Sequence, residues 1–443
     1  MNAAADRPEF TIAGAEWLTR RATQRVFEAL TATGHEARAV GGCVRDTLLG
    51  RLDANNASAH QKIIGHETAD IDIATTSTPE ETIRLTESAG LRAVPTGLAH
   101  GTITVIADGT PYEVTTLRHD VETYGRHADV AFTNDWILDA ARRDFTINAL
   151  YANPDGSIFD PLNARADLEG RRVRFVGDPH QRIQEDYLRI LRFFRFFARF
   201  ATGLPESDSL EACISERAGL VRLSRERIGN EIMRLLVARN AAPTITIMAE
   251  HGLLTQVLPI TPIAGRLTAY VEIEERMAAG QRDPAMRLGA LGIAVDEDAA
   301  NLQAALRLSN DEFRVLKFWA RTIRDMKTVP GKTAWSREDR ETRALLYRLG
   351  PQDYARRLFI EACLRPDYYN GSALARDLEL PTRWAVPEFP LSGRDLIALG
   401  AAAGPAIGEW LSELETEWIE ADFSLPGEEL RHRAAKRISQ SEN

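Results

Sequence analysis

Apolar residues recur at helical spacing over about 15–33 (AEWLTRRATQRVFEALTAT), and Gly34 ends the run. EARAV then alternates as a strand into Gly41-Gly42, and VRDTLLG predicts a short helix. Segment 51–69 is polar and without period, which predicts a loop or insertion, and DIDIAT returns to strand spacing. Thr78 reads as an N-cap, with Pro79 at the first helical position, acids at Glu80 and Glu81, and Gly90 closing that helix. TITVIA and YEVTTLR are strands joined at Asp108-Gly109, a hairpin signal. From Asn163 strand spacing fades and helical spacing runs to the C-terminus, interrupted at Asp178-Pro179, 259–262, Val329-Pro330-Gly331 and 387–390. The pattern predicts an α+β head followed by an elongated all-helical remainder, without internal repeats.

A chain of 443 residues is too long for one compact core and implies several domains. Its start, MNAAADRPEF, has no secretory pattern, and no apolar run reaches membrane-spanning length. Cys43, Cys213 and Cys363 are widely separated, which argues against a disulfide framework or zinc site and fits a reducing cytoplasm. The net charge of −10 argues against a nucleic-acid partner, yet residues 163–199 carry nine arginines against five acids, a local surplus of four. A solvated helical face is the plain alternative for that surplus.

The first chemical clue is Asp70-Ile71-Asp72-Ile73. On a strand Asp70 and Asp72 share one face while Ile71 and Ile73 face the core. Carboxylates held that close repel unless a cation lies between them, and hard cations such as Mg2+ prefer such oxygen ligands. A strand edge bearing two unrelated acids is the alternative. Glu113, on the polar face of its own strand, favours the metal reading by offering a third acid to a catalytic site. Gly41 and Gly42, between strand and helix, let backbone amides approach a phosphate, and Arg45 lies within reach of the same group.

VGGCVRDTLLG, DIDIATTSTPE, YEVTTLR, ARRDFTINALY, DPLNARADLEG and VGDPHQRIQEDYLRILRFFRF recur in order over about 37–236. Together they resemble the class II tRNA nucleotidyltransferase and bacterial poly(A) polymerase family. The resemblance implies a polymerase-beta-type nucleotidyltransferase head (15–162), a helical neck with a nucleobase template (163–240), and a helical body and tail that bind tRNA (241–443). It implies metal-dependent, template-independent addition of C, C and A to tRNA 3′ ends from CTP and ATP, with release of pyrophosphate. Poly(A) polymerase, a CC-only or A-only specialist, and a noncatalytic RNA-binding protein remain alternatives. No membrane and no stable protein partner is expected.

Carried over by residue, the resemblance gives Asp70 and Asp72 to catalytic metals. Gly41, Gly42 and Arg45 would hold the triphosphate. Arg142, Arg143 and Asp144 would contact ribose and phosphates, supported by Thr146 and Asn148, and 124–135 falls where the family has a mobile loop. EDYLRILRFFRFFARF reads as one helix with Arg189, Arg192, Arg195 and Arg199 on one face. Asp186 and Arg189 of its EDxxR motif would pair with the Watson–Crick edge of CTP or ATP, and Arg192 and Arg195 would bind nucleotide beside them. SRERIGNEIMRLL resembles a later neck helix, with Ser224 as N-cap, Arg227 at N3, and Glu231 ordering the template helix. Segment 51–69, with His60, Lys62 and His66, is longer than the family's usual link and reads as a surface insertion. The sparse histidines predict no phosphohydrolase module.

Overall fold

A computed structural model describes residues 10–55, 71–124, 127–277, 280, 282–328, 339–365 and 371–441. The chain divides into two compact units, Met1–Val257 and Leu258–Asn443.

The first unit is built on a seven-stranded sheet ordered β3-β4-β5-β2-β1-β8-β9. Its strands are β1 (Ala37–Val40), β2 (Ile71–Thr75), β3 (Arg92–Gly97), β4 (Thr102–Ala107), β5 (Thr110–Thr116), β8 (Tyr151–Ala152) and β9 (Ile158–Phe159). β6 (Arg118–Tyr124) and β7 (His127–Phe132) form a separate two-stranded sheet. Only β2 and β5 pair parallel within the large sheet. Alternation sends Ile71, Ile73, Ile103, Val105 and Val114 to one face, where they are buried. Helices Arg21–Thr31 and Pro79–Ser88 pack on the sheet. The Pro79 helix starts with a reciprocal capping box: Glu81 N–H donates to Thr78 Oγ1, and Thr78 N–H donates to Glu81 Oε2. Val40, Ala74, Leu117, Trp136, Ala140 and Tyr151 form a second small core around helix Trp136–Ala141.

Several elements differ from the sequence pattern. The helix expected over 15–33 is two, Glu16–Thr19 and Arg21–Thr31, because Arg20 is extended (ψ 136°). Carbonyls beside that break are taken by side chains: Thr23 Oγ1 donates to Trp17 O and Gln24 Nε2 to Leu18 O. The short helix after Gly41 runs on through Gly42–Asn55, into the segment expected to be a loop. Arg51 there donates to Thr11 O at 2.7 Å, and Asp53 pairs with Arg171, tertiary partners that local composition does not reveal. The rest of that segment, with His60, Lys62 and His66, lies outside the described residues. In the segment expected as a mobile loop, β7 completes a hairpin and Asp135 caps helix Trp136–Ala141; residues 125–126 lie outside the described ones.

The predicted single template helix is also broken. Pro179–Glu185 ends at Asp186, whose backbone is extended (φ −154°, ψ 104°), and Leu188–Phe200 begins after it. Asp186 starts the second helix itself: its Oδ1 accepts the Leu188 N–H and its carbonyl the Arg189 N–H. Tyr187 fills the bend, its ring lying where a side chain on Gly219 would stand. Phe193, Phe194, Phe196 and Phe197 bury themselves with Phe145 and Phe175.

The regular elements among the described residues of the second unit are all helices, from Ala264–Arg276 to Gly427–Ser441. Trp319 is fully buried in it, as is Arg287, whose Nε donates to Glu274 at 2.9 Å. Leu396, Leu414, Trp418, Leu430 and Ala434 form its C-terminal core. No described helix in the chain is long and apolar enough to cross a membrane.

A Cβ on Gly219 would lie 1.9 Å from the Tyr187 ring. Gly219→Ala is expected to destabilise the chain by about 1–3 kcal/mol, read as a lowered urea midpoint with an unchanged slope.

Candidate active site

β2 and β5 run parallel with Asp72 directly opposite Glu113. Residues paired this way project from the same face, so two carboxylates stand side by side on neighbouring strands. Glu113 is exposed and Asp72 half-buried. Next to them β1 is followed by Gly41, whose φ of +78° suits glycine, and a Cβ there would stand 3.6 Å from Asp72 Oδ2. Helix Gly42–Asn55 therefore opens beside this carboxylate, with Arg45 N–H bonded to Gly41 O at 3.0 Å. Oxygen donors in register beside a helix N-terminus fit a hard divalent cation and the phosphates it would carry. Asp70 lies outside the described residues, and the described residues alone hold no cluster of three metal-ligating side chains. Burial, with the Asp72 charge adding, pushes the Cys43 thiol up to about 12, so this neighbour stays neutral.

Behind the carboxylates lies a network of buried charges. Arg45 is only 4% exposed. It donates to Asp46 Oδ1 at 2.7 Å and Asn148 Oδ1 at 2.5 Å, with its guanidinium over the Phe196 and Phe200 rings. Asn148 donates to Asp144 Oδ1 at 2.9 Å, and the Phe145 N–H reaches the same oxygen. Asp144 Oδ2 takes two bonds from Arg192, at 2.8 and 2.6 Å. Arg195, 8% exposed, pairs with Glu231 at 2.5 Å, and Arg199 reaches Asp46 at 3.1 Å. Burial raises the Asp144 pKa, but Arg192, Asn148 and the Phe145 N–H outweigh it and bring the carboxyl down to about 2.

A second buried acid, Asp139, holds the two arginines of the RRD segment. It accepts from Arg142 at 2.9 and 2.6 Å, from Arg143 at 2.9 Å and from Tyr151 OH at 2.7 Å. Its pKa is likewise about 2, the arginines and Tyr151 outweighing burial. At the start of helix Leu188–Phe200, Arg189 Nη1 donates to Glu185 Oε2 at 2.5 Å and Arg182 O at 2.7 Å. Asp186 Oδ2 accepts from Arg227 at 2.6 Å.

The poly A polymerase head domain model matches residues 37–174, and the model of a probable RNA and SrmB-binding site of polymerase A matches 205–263. Mitochondrial CCA tRNA nucleotidyltransferase 1 of Danio rerio is 35% identical over 435 residues, covering 93% of each chain. The CCA-adding enzyme of Lacticaseibacillus paracasei is 30% identical over 407 residues, 91% of this chain and 92% of that one. This chain belongs to the family of CCA-adding tRNA nucleotidyltransferases. The crystal structure of the Bacillus stearothermophilus CCA-adding enzyme in complex with CTP superposes with a TM-score of 0.70 at 25% identity, covering 96% of this chain and 99% of that one.

Within that nucleotidyltransferase frame, the structure brings Asp72, Glu113 and Gly41 together. Other predicted nucleotide contacts are engaged by protein partners: Arg45 and Arg195, nearly buried, by Asn148 and Glu231, and the partly exposed Arg192 by Asp144. Arg142 and Arg143 are shared with Asp139. Thr146 donates to Asp167 at 2.8 Å and so braces the segment from behind. Glu231 stands against Arg195 of helix Leu188–Phe200, the helix it was expected to order. Ser224 precedes helix Arg225–Leu236 without a side-chain cap bond. Sequence reasoning passed over Asp139, Tyr151 and Arg182, whose guanidinium holds the Arg142 and Arg143 carbonyls. Asp139 had a signal, since an acid three and four residues before two arginines on a helix faces both.

With its folded pKa below the ordinary value, Asp144 contributes stability above about pH 4 that is lost as pH falls towards 2, about 2 kcal/mol in all. Asp144→Asn should flatten that acid slope in urea midpoints. At neutral pH it should destabilise by about 1–3 kcal/mol, since the partly exposed Arg192 loses its charged acceptor at Oδ2.

Proposed function

We propose that this chain completes the CCA end of tRNA, adding C, C and A from CTP and ATP without a nucleic-acid template. The observation that carries this reading is the continuous line of side-chain bonds from the Gly41-Gly42 helix through Arg45, Asn148 and Asp144 to Arg192, one turn beyond Arg189. It ties the carboxylate end of the sheet to the helix that bears Arg189 and starts just after Asp186. Residues 15–162 then serve as catalytic head, 163–240 as template neck, and 241–443 as the tRNA-binding body and tail.

In the reaction, a bond forms between the RNA 3′-oxygen and the α-phosphorus of the nucleotide, and the bond to the departing pyrophosphate breaks. Asp70, Asp72 and Glu113 would hold Mg2+, which when bound neutralises phosphate charge and acidifies the hydroxyl. The Gly41-Gly42 turn admits the triphosphate to the helix N-terminus, where backbone amides face it. Arg142 and Arg143, held by Asp139, present their remaining donors to ribose and phosphate. Asp186 accepts from a base amine, and Arg189 donates to the base acceptors beside it. Three buried free thiols suit a reducing compartment, in support of a cytoplasmic enzyme.

The test is incubation with Mg2+ and CTP, ATP or both, on tRNA lacking its tail and on an unrelated RNA. Ordered addition of C, C and A to tRNA alone is expected; ATP-only tails on either RNA would instead mark a poly(A) polymerase. Asp72→Ala should lower incorporation at least about a thousandfold with an unchanged thermal midpoint, and chelation of the metal should silence the wild type.

A further inference from the structure

Asp186 stands at the break between two neck helices, where the backbone is extended and the helical ladder is interrupted. A carboxylate on its short side chain turns readily about χ2 unless bonds restrain it. One restraint is local, the Leu188 N–H on Oδ1 at 3.1 Å. The other comes from a different helix: Arg227 Nη2 donates to Oδ2 at 2.6 Å. Arg227 belongs to the first turn of Arg225–Leu236, whose Ile228, Ile232 and Leu235 are buried and whose Glu231 is bonded to Arg195 of the template helix. The guanidinium is thus delivered from an anchored element. The Arg227 and Asp186 side chains remain 31% and 26% exposed. A pair this open contributes little to stability, and it leaves the carboxylate reachable by a ligand.

We propose that Arg227 is the positioning residue of the base-reading carboxylate, holding Asp186 as a fixed acceptor so that bases presenting a carbonyl are refused. The proposal rests on the template role of Asp186 given above. An ionised carboxylate can only accept hydrogen bonds. Cytosine and adenine offer it an exocyclic amine, whereas uracil and guanine offer a carbonyl oxygen, which sets lone pairs against lone pairs. That refusal lasts only while the carboxylate cannot turn aside. Released from Arg227, it rotates and admits water, and the mismatched base escapes most of its penalty while the matched base loses a well-placed acceptor.

The experiment measures kcat and KM of the full-length protein with each of the four nucleoside triphosphates on tail-less tRNA, for Arg227→Ala, Arg227→Lys and Asp186→Asn. In Arg227→Ala, kcat/KM for CTP and ATP should fall about tenfold while that for UTP and GTP holds or rises, the loss appearing in KM for the nucleotide. KM for tRNA and the thermal midpoint should not move. Arg227→Lys keeps the charge beside Asp186 without the planar fork and should recover most of the discrimination. Discrimination intact in Arg227→Ala but lost in Asp186→Asn overturns the positioning role and leaves the template reading standing. Discrimination intact in both variants overturns the template reading and the positioning role with it. Equal losses for all four nucleotides with a lowered thermal midpoint would reduce Arg227 to a structural ion pair.

Discussion

A charged carboxylate buried between a sheet and a helix persists only where partners replace its lost water, and Asp144 meets that condition with four hydrogen bonds. Two of them come from the planar fork of Arg192, which fixes direction as well as distance. The backbone around Asp144 is held as firmly, since its carbonyl accepts the Val176 N–H. Phe145 beside it packs on Phe175, Phe193 and Phe196. The end of the sheet and the start of the neck are therefore one framework, apolar in bulk and registered by ions. Ion pairs of this kind add little net stability over apolar packing, but removing one partner strands the other. What they contribute is a defined geometry.

That geometry matters because a protein that chooses nucleotides without a template must supply the complement from its own side chains. Such a site has to stay within about half an ångström of its working arrangement, which elements of regular structure achieve better than loops. The carboxylates Asp72 and Glu113 sit on paired strands, and Asp186 and Arg189 sit at a helix start. Each of these two side chains has a partner of its own, Arg227 for Asp186 and Glu185 for Arg189.

The arginines of helix Leu188–Phe200 and its start show how one periodic face can conceal several roles. Spacing places Arg189, Arg192, Arg195 and Arg199 together, and nothing in that spacing separates them. Their partners do: Glu185 for the first, Asp144 for the second, Glu231 for the third and Asp46 for the last. Three of the four join helix Leu188–Phe200 to an element outside the pair it forms with Pro179–Glu185. Arg189 alone keeps its acidic partner within the EDxxR motif.

Strand alternation placed Asp72 on the face opposite Ile71 and Ile73, and the hairpin at Asp108-Gly109 set β4 against β5; both follow from short-range geometry, so both were legible in the chain. So was the N-cap at Thr78, and so was the membership that the ordered motifs announced. The break at Asp186, the continuation of the Gly42 helix through Asn55 and the inward turn of Arg45 and Arg195 were not legible. Each depends on a partner far along the chain: Tyr187 on Gly219, Arg51 on Thr11, Arg45 on Asn148, Arg195 on Glu231. Periodicity records which way a side chain points from its own backbone. Whether it then meets solvent, substrate or an opposite charge is settled by packing between elements that local sequence does not contain.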